Sequence, residues 1–283
     1  MNTWTLKKLK LLHGWQLPLK ERLTRRLIKM KDKNGNAFFE GIVFSKNGCL
    51  VHVDTRNYIE YKIFSEGGYE DYISNLIKHY YRCNTVFLDI GANIGIHSLS
   101  VASIKDSRVY AFEPIDFIQA KLKKNIKLNN YSNIQVIPVA LSNEPKEIRT
   151  SFSVNSSNQG TFSMIDENSG ENYIKCIKGD DFVSDNKIDN ISVIKIDVEG
   201  FEYSVLDGLR QTILKQRPVM FFEFDSNYID RDRKTAEEYE KLLFGQLNYS
   251  LFIIEQLLLI PCKTLQTIKG MKEILALPKD FFG

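Results

Sequence analysis

The sequence predicts an α/β protein built on a mostly parallel, doubly wound sheet. From residue 84 onward, apolar β-favouring runs alternate with segments of helical period. The first of those runs breaks into a glycine-bracketed turn that feeds a helix at once. The close of the chain adds a third sign: runs at 249–254 and 257–260 leave no room for a helix between them, so they predict an antiparallel hairpin. Seven strands are expected in the sheet, behind an N-terminal helical and β-meander extension.

Taken in order, residues 1–33 set Trp4, Leu6, Leu9, Leu11 and Leu12, then Leu19, Leu23, Leu27 and Ile28, at helical spacing, with Pro18 dividing two short helices. This head holds ten Lys/Arg against Glu21 and Asp32, a local +8 in a chain of +3, which leaves −5 for the remainder. Two readings suit it: helices packed on the main domain with a solvated basic face, or a peripheral contact with an anionic membrane surface. Residues 37–64 predict a β-meander, with strands at 37–44, 49–54 and 58–64 and turns at Lys46-Asn47-Gly48 and Arg56-Asn57. Gly67-Gly68 opens a helix over 69–80. The chain is thus divided into an extension, 1–83, and a domain, 84–283.

Within the domain the pattern predicts strands at 85–89, 108–112, 134–139, 191–197 and 218–224, with helices at 94–105, 115–129, 201–214 and 235–247. Between the third and fourth strands lie about fifty residues rich in Ser, Asn, Gly and Thr, long enough to hold short strands at 146–154 and 172–177 and a flap at the 155–172 apex. No apolar run approaches the roughly 20 residues needed to span a bilayer, and the head lacks the apolar core of a secretory signal. Cys49, Cys83, Cys176 and Cys262 are far apart, with no Cys-x-x-Cys pair, and read as reduced thiols of a cytoplasmic protein.

The chemistry gathers at strand ends. The run Val86-Phe87-Leu88-Asp89-Ile90 enters the turn Gly91-Ala92-Asn93-Ile94-Gly95, where missing Cβ atoms would let a ligand lie against backbone N–H groups. Glu113 ends the second strand eighteen residues after Gly95, where doubly wound folds hold a ribose by its hydroxyls. A dinucleotide requires Gly-x-Gly-x-x-Gly, with the middle glycine against the pyrophosphate. Asn93 stands at that place; it obstructs phosphate but can hydrogen-bond a carboxylate or amine. S-adenosylmethionine, which has an amino-acid end, a sulfonium and a ribose but no phosphate, suits the pattern. Asp89, Gly91, Asn93 and Gly95 are therefore assigned to the methionine end, Glu113 to the ribose, and Ala140 and Leu141 to the adenine border.

Asp197, Glu199 and Glu202 follow the fourth strand, and Glu223 closes the fifth among Phe221, Phe222 and Phe224. A carboxyl desolvated by such neighbours rises in pKa and suits proton transfer. Asp197 and Glu223 are the candidate bases, with Glu199 beside them, whereas Glu202 reads as compensation of a helix N-terminus. His97, in the first turns of the glycine-loop helix, reads as packing or as support to the residues that meet the ligand, and not as a base. The acids form no ligand triplet at tight spacing, so no metal is assigned.

The segments DIGANIG (89–95), AFEP (111–114), KIDVEGFE (195–202) and RPVMFFEF (217–224), led in by GGYEDYI (67–73), resemble the FkbM-type S-adenosylmethionine-dependent methyltransferases over roughly residues 67–260. KIDVEGFE after the fourth strand is the specific part; residues 1–40 have no counterpart. The resemblance implies a class I methyltransferase Rossmann-like sheet, S-adenosylmethionine as cofactor, and O-methylation of a hydroxyl on a sugar, glycan or related metabolite. A nucleic-acid or other N-methyltransferase is the rival, opposed by Asp197-Val198-Glu199-Gly200 in place of an Asn/Asp-Pro-Pro-aromatic motif and by the acidic balance of residues 34–283. No nucleic-acid partner is expected. A non-catalytic S-adenosylmethionine-binding adaptor would be expected to have lost Glu113 or the glycines, and all are present.

Overall fold

A computed structural model describes residues 30–31, 37–150, 172–255 and 258–281. The helices expected in residues 1–29 and the flap apex up to residue 171 lie outside the described residues.

Ahead of the main sheet, β1 (Met30–Lys31) pairs with β2 (Ala37–Phe38), and β3 (Glu40–Phe44) with β4 (Leu50–Asp54), both antiparallel. The β3–β4 turn is the predicted Asn-Gly one: Gly48 takes φ 84° and its N–H donates to the Ser45 carbonyl. The third meander strand does not form, because Tyr58–Glu66 is a helix, α1. Ile59, Tyr61 and Ile63 read as an alternation, yet Ile59/Ile63 and Glu60/Phe64 are also i,i+4 pairs. The helical period wins by burying Glu60, Ile63 and Phe64 together, and Glu60 accepts the Asp54 N–H at 2.6 Å. Gly67, at φ 86°, ends the helix.

Helix α2 (Asp71–Tyr80) leads into β5 (Val86–Ile90), which is buried at every position. Then come α3 (Ile96–Ala102), β6 (Arg108–Phe112), α4 (Asp116–Leu128) and β7 (Ile134–Ile137). The two strands expected in the long insertion, β9 (Lys146–Thr150) and β10 (Asn172–Lys178), pair with each other, and an unexpected one, β8 (Ala140–Ser142), joins them in a separate three-stranded sheet of order β8-β10-β9. Helix α5 (Gly179–Asp185) carries the chain to β11 (Ile191–Ile196), also buried throughout. Where one helix was expected, α6 (Glu202–Gly208) and α7 (Arg210–Gln216) follow, and then β12 (Val219–Asp225). Helix α8 (Ala236–Glu240) starts from a Thr235–Glu238 capping box and continues as a π-helical turn, Lys241–Gln246. The chain closes with β13 (Tyr249–Glu255), β14 (Leu258–Cys262) and β15 (Met271–Pro278).

The main sheet runs β14-β13-β15-β12-β11-β5-β6-β7, eight strands where seven were expected. The β13–β14 hairpin is present, but β15 stands between it and β12 and pairs antiparallel with both β12 and β13. Glu273 near its start and Pro278 at its end disguise β15 in the sequence, although it is buried from Glu273 to Pro278. From β7 to β12 every pairing is parallel.

Successive strand residues enter opposite layers. Leu88, Ile90, Ile194, Ile196, Met220 and Phe222 pack with Val205, Leu206, Leu209 and Ile213, while Phe87, Val193, Val219 and Phe221 pack with Ile73 and Ile77 of α2. No helix among the described residues is long and apolar enough to cross a membrane.

Candidate active site

The pairing register sets Lys195 beside Asp89 and Phe221, and Glu223 opposite Glu273, so the carboxyl ends of β5, β11 and β12 meet at one edge. A cavity opens there. Of the ten residues assigned from the sequence, it is lined by Gly91, Asn93, Glu113, Ala140, Leu141, Asp197, Glu199 and Glu223.

Asp89 and Gly95 do not line it. Asp89 is 1% exposed and accepts a hydrogen bond from the Ser98 hydroxyl on α3; burial pushes its carboxyl up. Gly95 takes φ 90°, and a Cβ there would stand 2.3 Å from Leu122 Cδ1, so this glycine permits α3 to pack on α4. Gly91 takes φ 83°, and its Cβ would fall 1.8 Å from the Asp197 carbonyl oxygen. The missing side chain therefore brings the β5 and β11 tips together.

The turn's amide hydrogens are not offered to a ligand in the way the glycine pattern suggested. Gly91 and Ala92 N–H donate to the Phe112 carbonyl (3.0 and 2.9 Å), Asn93 N–H to Glu113 Oε2 (3.0 Å), Ile94 N–H to Asn93 Oδ1 (2.8 Å) and Gly95 N–H to the Ala92 carbonyl (2.8 Å). With Asn93 in the left-handed region at φ 50°, its own side chain closes the loop. The turn is stitched to β6 and is no phosphate cradle.

Glu113 is 5% exposed; Oε1 accepts the Ile115 N–H and Oε2 the Asn93 N–H, both at 3.0 Å. Burial pushes its carboxyl up to about 7 against those two bonds. Each oxygen keeps a lone pair, which matches the two vicinal hydroxyls of a ribose. Phe112, Ile115, Ile118, Val139, Ala140 and Leu141 line the adjoining wall as an apolar slot for a purine. These residues fit S-adenosylmethionine.

The opposite side of the cavity is acidic around one buried cation. Lys195 Nζ lies 3.2 Å from both Glu273 carboxylate oxygens and 3.5 Å from Asp197 Oδ2. Burial works against its charge, but Glu273, Asp197, Glu70 and Glu223 outweigh it and hold its pKa well above the lysine range. Glu273 is pushed up as well, since its own burial and the other acids exceed what Lys195 returns. Burial, then the charge of Asp197, raises Glu223 to about 9 and Glu199 to about 8. Glu202 is raised by burial to about 7 and accepts the Val198 and Gly200 N–H groups, each at 3.1 Å, so it closes the loop before α6 as the helix-terminus reading expects.

Three participants escaped the sequence reading. Glu273 comes from the unrecognised β15. Glu70 lines the cavity from the start of α2, and His97, read as packing, lines it beside Glu70. His97 Nε2 is 3.3 Å from Glu70 Oε2, and Nδ1 is 2.9 Å from Ser74 Oγ. Burial raises Glu70, but the hydrogen bond from His97 and the charge of Lys195 pull it down to about 2. His97 is disfavoured as a cation by burial, yet Glu70 and Asp89 hold its pKa above the usual value. The available signal was an acid two residues past Gly67-Gly68, at the start of a helix.

Residues 89–251 match the methyltransferase FkbM domain. The hexuronic acid methyltransferase AglP of Haloferax volcanii is 34% identical over 130 residues, which cover 45% of this chain and 51% of AglP. The chain thus spans about half the length of that curated relative. Among solved structures, the methyltransferase FkbM of Methylobacillus flagellatus KT aligns over 77% of this chain and 52% of its own, at 15% identity and a TM-score of 0.46. TYW2 of M. jannaschii in complex with AdoMet aligns over 84% and 85%, at 15% identity and a TM-score of 0.43. By its domain match, the chain belongs to the FkbM family of S-adenosylmethionine-dependent methyltransferases.

Proposed function

We propose that this chain moves the methyl group of S-adenosylmethionine to a hydroxyl oxygen of a sugar, glycan or related metabolite. One observation carries the reading: a single cavity joins Glu113 and its apolar slot to the carboxylates Asp197, Glu199 and Glu223. The relative named for hexuronic acid methylation supports a carbohydrate acceptor.

When bound, the donor supplies a methyl already activated by a positively charged sulphur. This chain's residues must then align the acceptor oxygen in line with that methyl and remove its proton. Glu113 takes the ribose hydroxyls, Ala140 and Leu141 border the adenine, and Gly91 and Asn93 meet the methionine side. Asp89 and Gly95 shape the turn from behind. Asp197 and Glu223 act together at the acceptor: burial, then the charge on Asp197, raises Glu223 into the range where it exchanges a proton. Glu199 extends the pair toward the acceptor's other hydroxyls.

Titration calorimetry with S-adenosylmethionine tests the proposal. Glu113→Ala should weaken binding about tenfold or more, because hydrogen bonds to a charged group contribute roughly 1.5–3 kcal/mol. Unchanged affinity refutes the ribose assignment, and no binding by the wild-type chain refutes the function.

A further inference from the structure

We infer that Glu70, held in place by His97, binds the α-ammonium at the amino-acid end of the methyl donor. The inference rests on the donor reading above and assigns a residue that the glycine-turn pattern does not contain.

The α-ammonium requires a carboxylate that is fixed in place yet keeps acceptor positions toward the cavity. Glu70 meets that description: its side chain is 16% exposed, it lines the cavity, and His97 Nε2 lies 3.3 Å from its Oε2. Both ring nitrogens of His97 are engaged, so the imidazole positions Glu70 and does not itself bind the ligand. The imidazole is oriented from behind by Ser74 Oγ at 2.9 Å from Nδ1, which leaves Nε2 on the Glu70 side. Glu70 keeps acceptor positions beyond those used by His97 and by the Tyr69 hydroxyl.

The other acids near the turn are otherwise engaged. Asp89 is buried against Ser98 and off the cavity, and Asp197 has Lys195 at 3.5 Å. Folding alone gives weak reason for the Glu70–His97 pair, because desolvation offsets much of the attraction between buried ions. Glu70 also stands at φ 49°, ψ 37°, a left-handed conformation that is costly for a residue with a side chain and that collects at ligand sites.

Calorimetry on the full chain decides the matter with two neutral-sulphur probes. S-adenosylhomocysteine carries the amino-acid end, and 5′-methylthioadenosine lacks it. Glu70→Gln should weaken S-adenosylhomocysteine by about tenfold or more while leaving 5′-methylthioadenosine within about twofold, and the latter doubles as a check that the pocket is folded. Equal losses for both probes in a variant that melts with the wild type, or no loss for either, overturn the inference alone. A wild-type chain that binds neither probe overturns the donor reading and the inference with it. His97→Leu should weaken S-adenosylhomocysteine but not 5′-methylthioadenosine, and His97→Gln, which keeps a donor for Glu70, should recover part of the loss. Unchanged S-adenosylhomocysteine binding in His97→Leu refutes the positioning role of His97.

Discussion

Replacing Lys195 with methionine should cost the fold about 3–5 kcal/mol at neutral pH, through charge more than through packing. The side chain is fully buried in β11, 3.2 Å from both oxygens of Glu273, which is itself 5% exposed. At an effective dielectric constant of 20, two unit charges at 3.2 Å attract by about 5 kcal/mol, and desolvation of the two ions offsets much of this. Methionine fills a similar volume, so little cavity forms. What remains is a buried carboxylate without its cation. Burial already holds Glu273 above the ordinary range with Lys195 present, and the variant raises it further. A carboxyl raised in the folded state stabilises the fold below its unfolded pKa, about 4.3, and that contribution is lost as pH rises through the folded value. The deficit of Lys195→Met should therefore shrink as pH falls from about 7 toward about 5. Lysine 195 in the wild type, raised above its usual value, keeps its contribution until pH exceeds about 10.4. The double variant Lys195→Met/Glu273→Met should recover most of the loss, because removing both ions also removes the desolvation cost. Urea unfolding of the three proteins at both pH values, with slopes compared, measures this. Equal midpoints for wild type and single variant at neutral pH, or a double variant no more stable than the single, would refute the reasoning.

Glu223 and Glu199, raised to about 9 and about 8, hold protons at neutral pH and lose them as pH climbs, so cationic S-adenosylmethionine should gain affinity relative to neutral S-adenosylhomocysteine from pH 7 to about 9. Calorimetry of both ligands across that range checks it, and a constant ratio of affinities counts against the charge argument. Gly91→Ala should cost about 3 kcal/mol or more, since the new Cβ falls 1.8 Å from the Asp197 carbonyl oxygen at φ 83°. Its melting temperature should drop by about 6 °C or more, and a variant that melts with the wild type shows that the strand tips can separate without cost. Glu223→Gln should leave S-adenosylhomocysteine binding intact and lower turnover by about two orders of magnitude; if turnover survives, another group takes the proton.

Strands β5 and β11 were legible because a strand buried on both faces is written as a mostly apolar run, here with Asp89 in the one and Ser192 and Lys195 in the other. Lys195 looked like an interruption of such a run. Its partner Glu273 is 78 positions away, and no local spacing records a pair brought together by sheet order. Strand parity was nevertheless available. Asp89, Lys195, Glu223 and Glu273 each stand two residues from Phe87, Val193, Phe221 and Leu275, which share one buried layer with α2. Applied to the spacing, parity directs all four charges to the α2 face, where Glu70 begins that helix. Asp89 on that face meets Ser98 of α3. The Tyr58–Glu66 segment fits periods of 2 and 3.6 alike, and only its packing chooses between them. The amide hydrogens of the glycine turn were illegible for another reason: those of Gly91, Ala92 and Asn93 donate to the Phe112 carbonyl and the Glu113 side chain, at the end of the neighbouring strand.

That concentration of charge on one face bears on how a rim carboxylate can act as base when its pKa lies near 9. On the proposed reading, Glu223 faces a sulfonium cation before transfer, and an adjacent positive charge lowers a carboxyl pKa. Such a cation would favour the ionised form of Glu223 beside Asp197, which has Lys195 at 3.5 Å. With the methyl transferred, that positive charge would be gone. Burial and the repulsion of Asp197 again dominate Glu223, and its affinity for a proton rises while the acceptor hydroxyl is losing one. The acid pair therefore becomes a stronger base as the reaction proceeds, and the released proton replaces the sulfonium charge that the acidic face has lost. Lys195 is the fixed counter-charge in this scheme: it offsets the acids' pressure on Glu223, and without it Glu223 would be held more firmly in its protonated form.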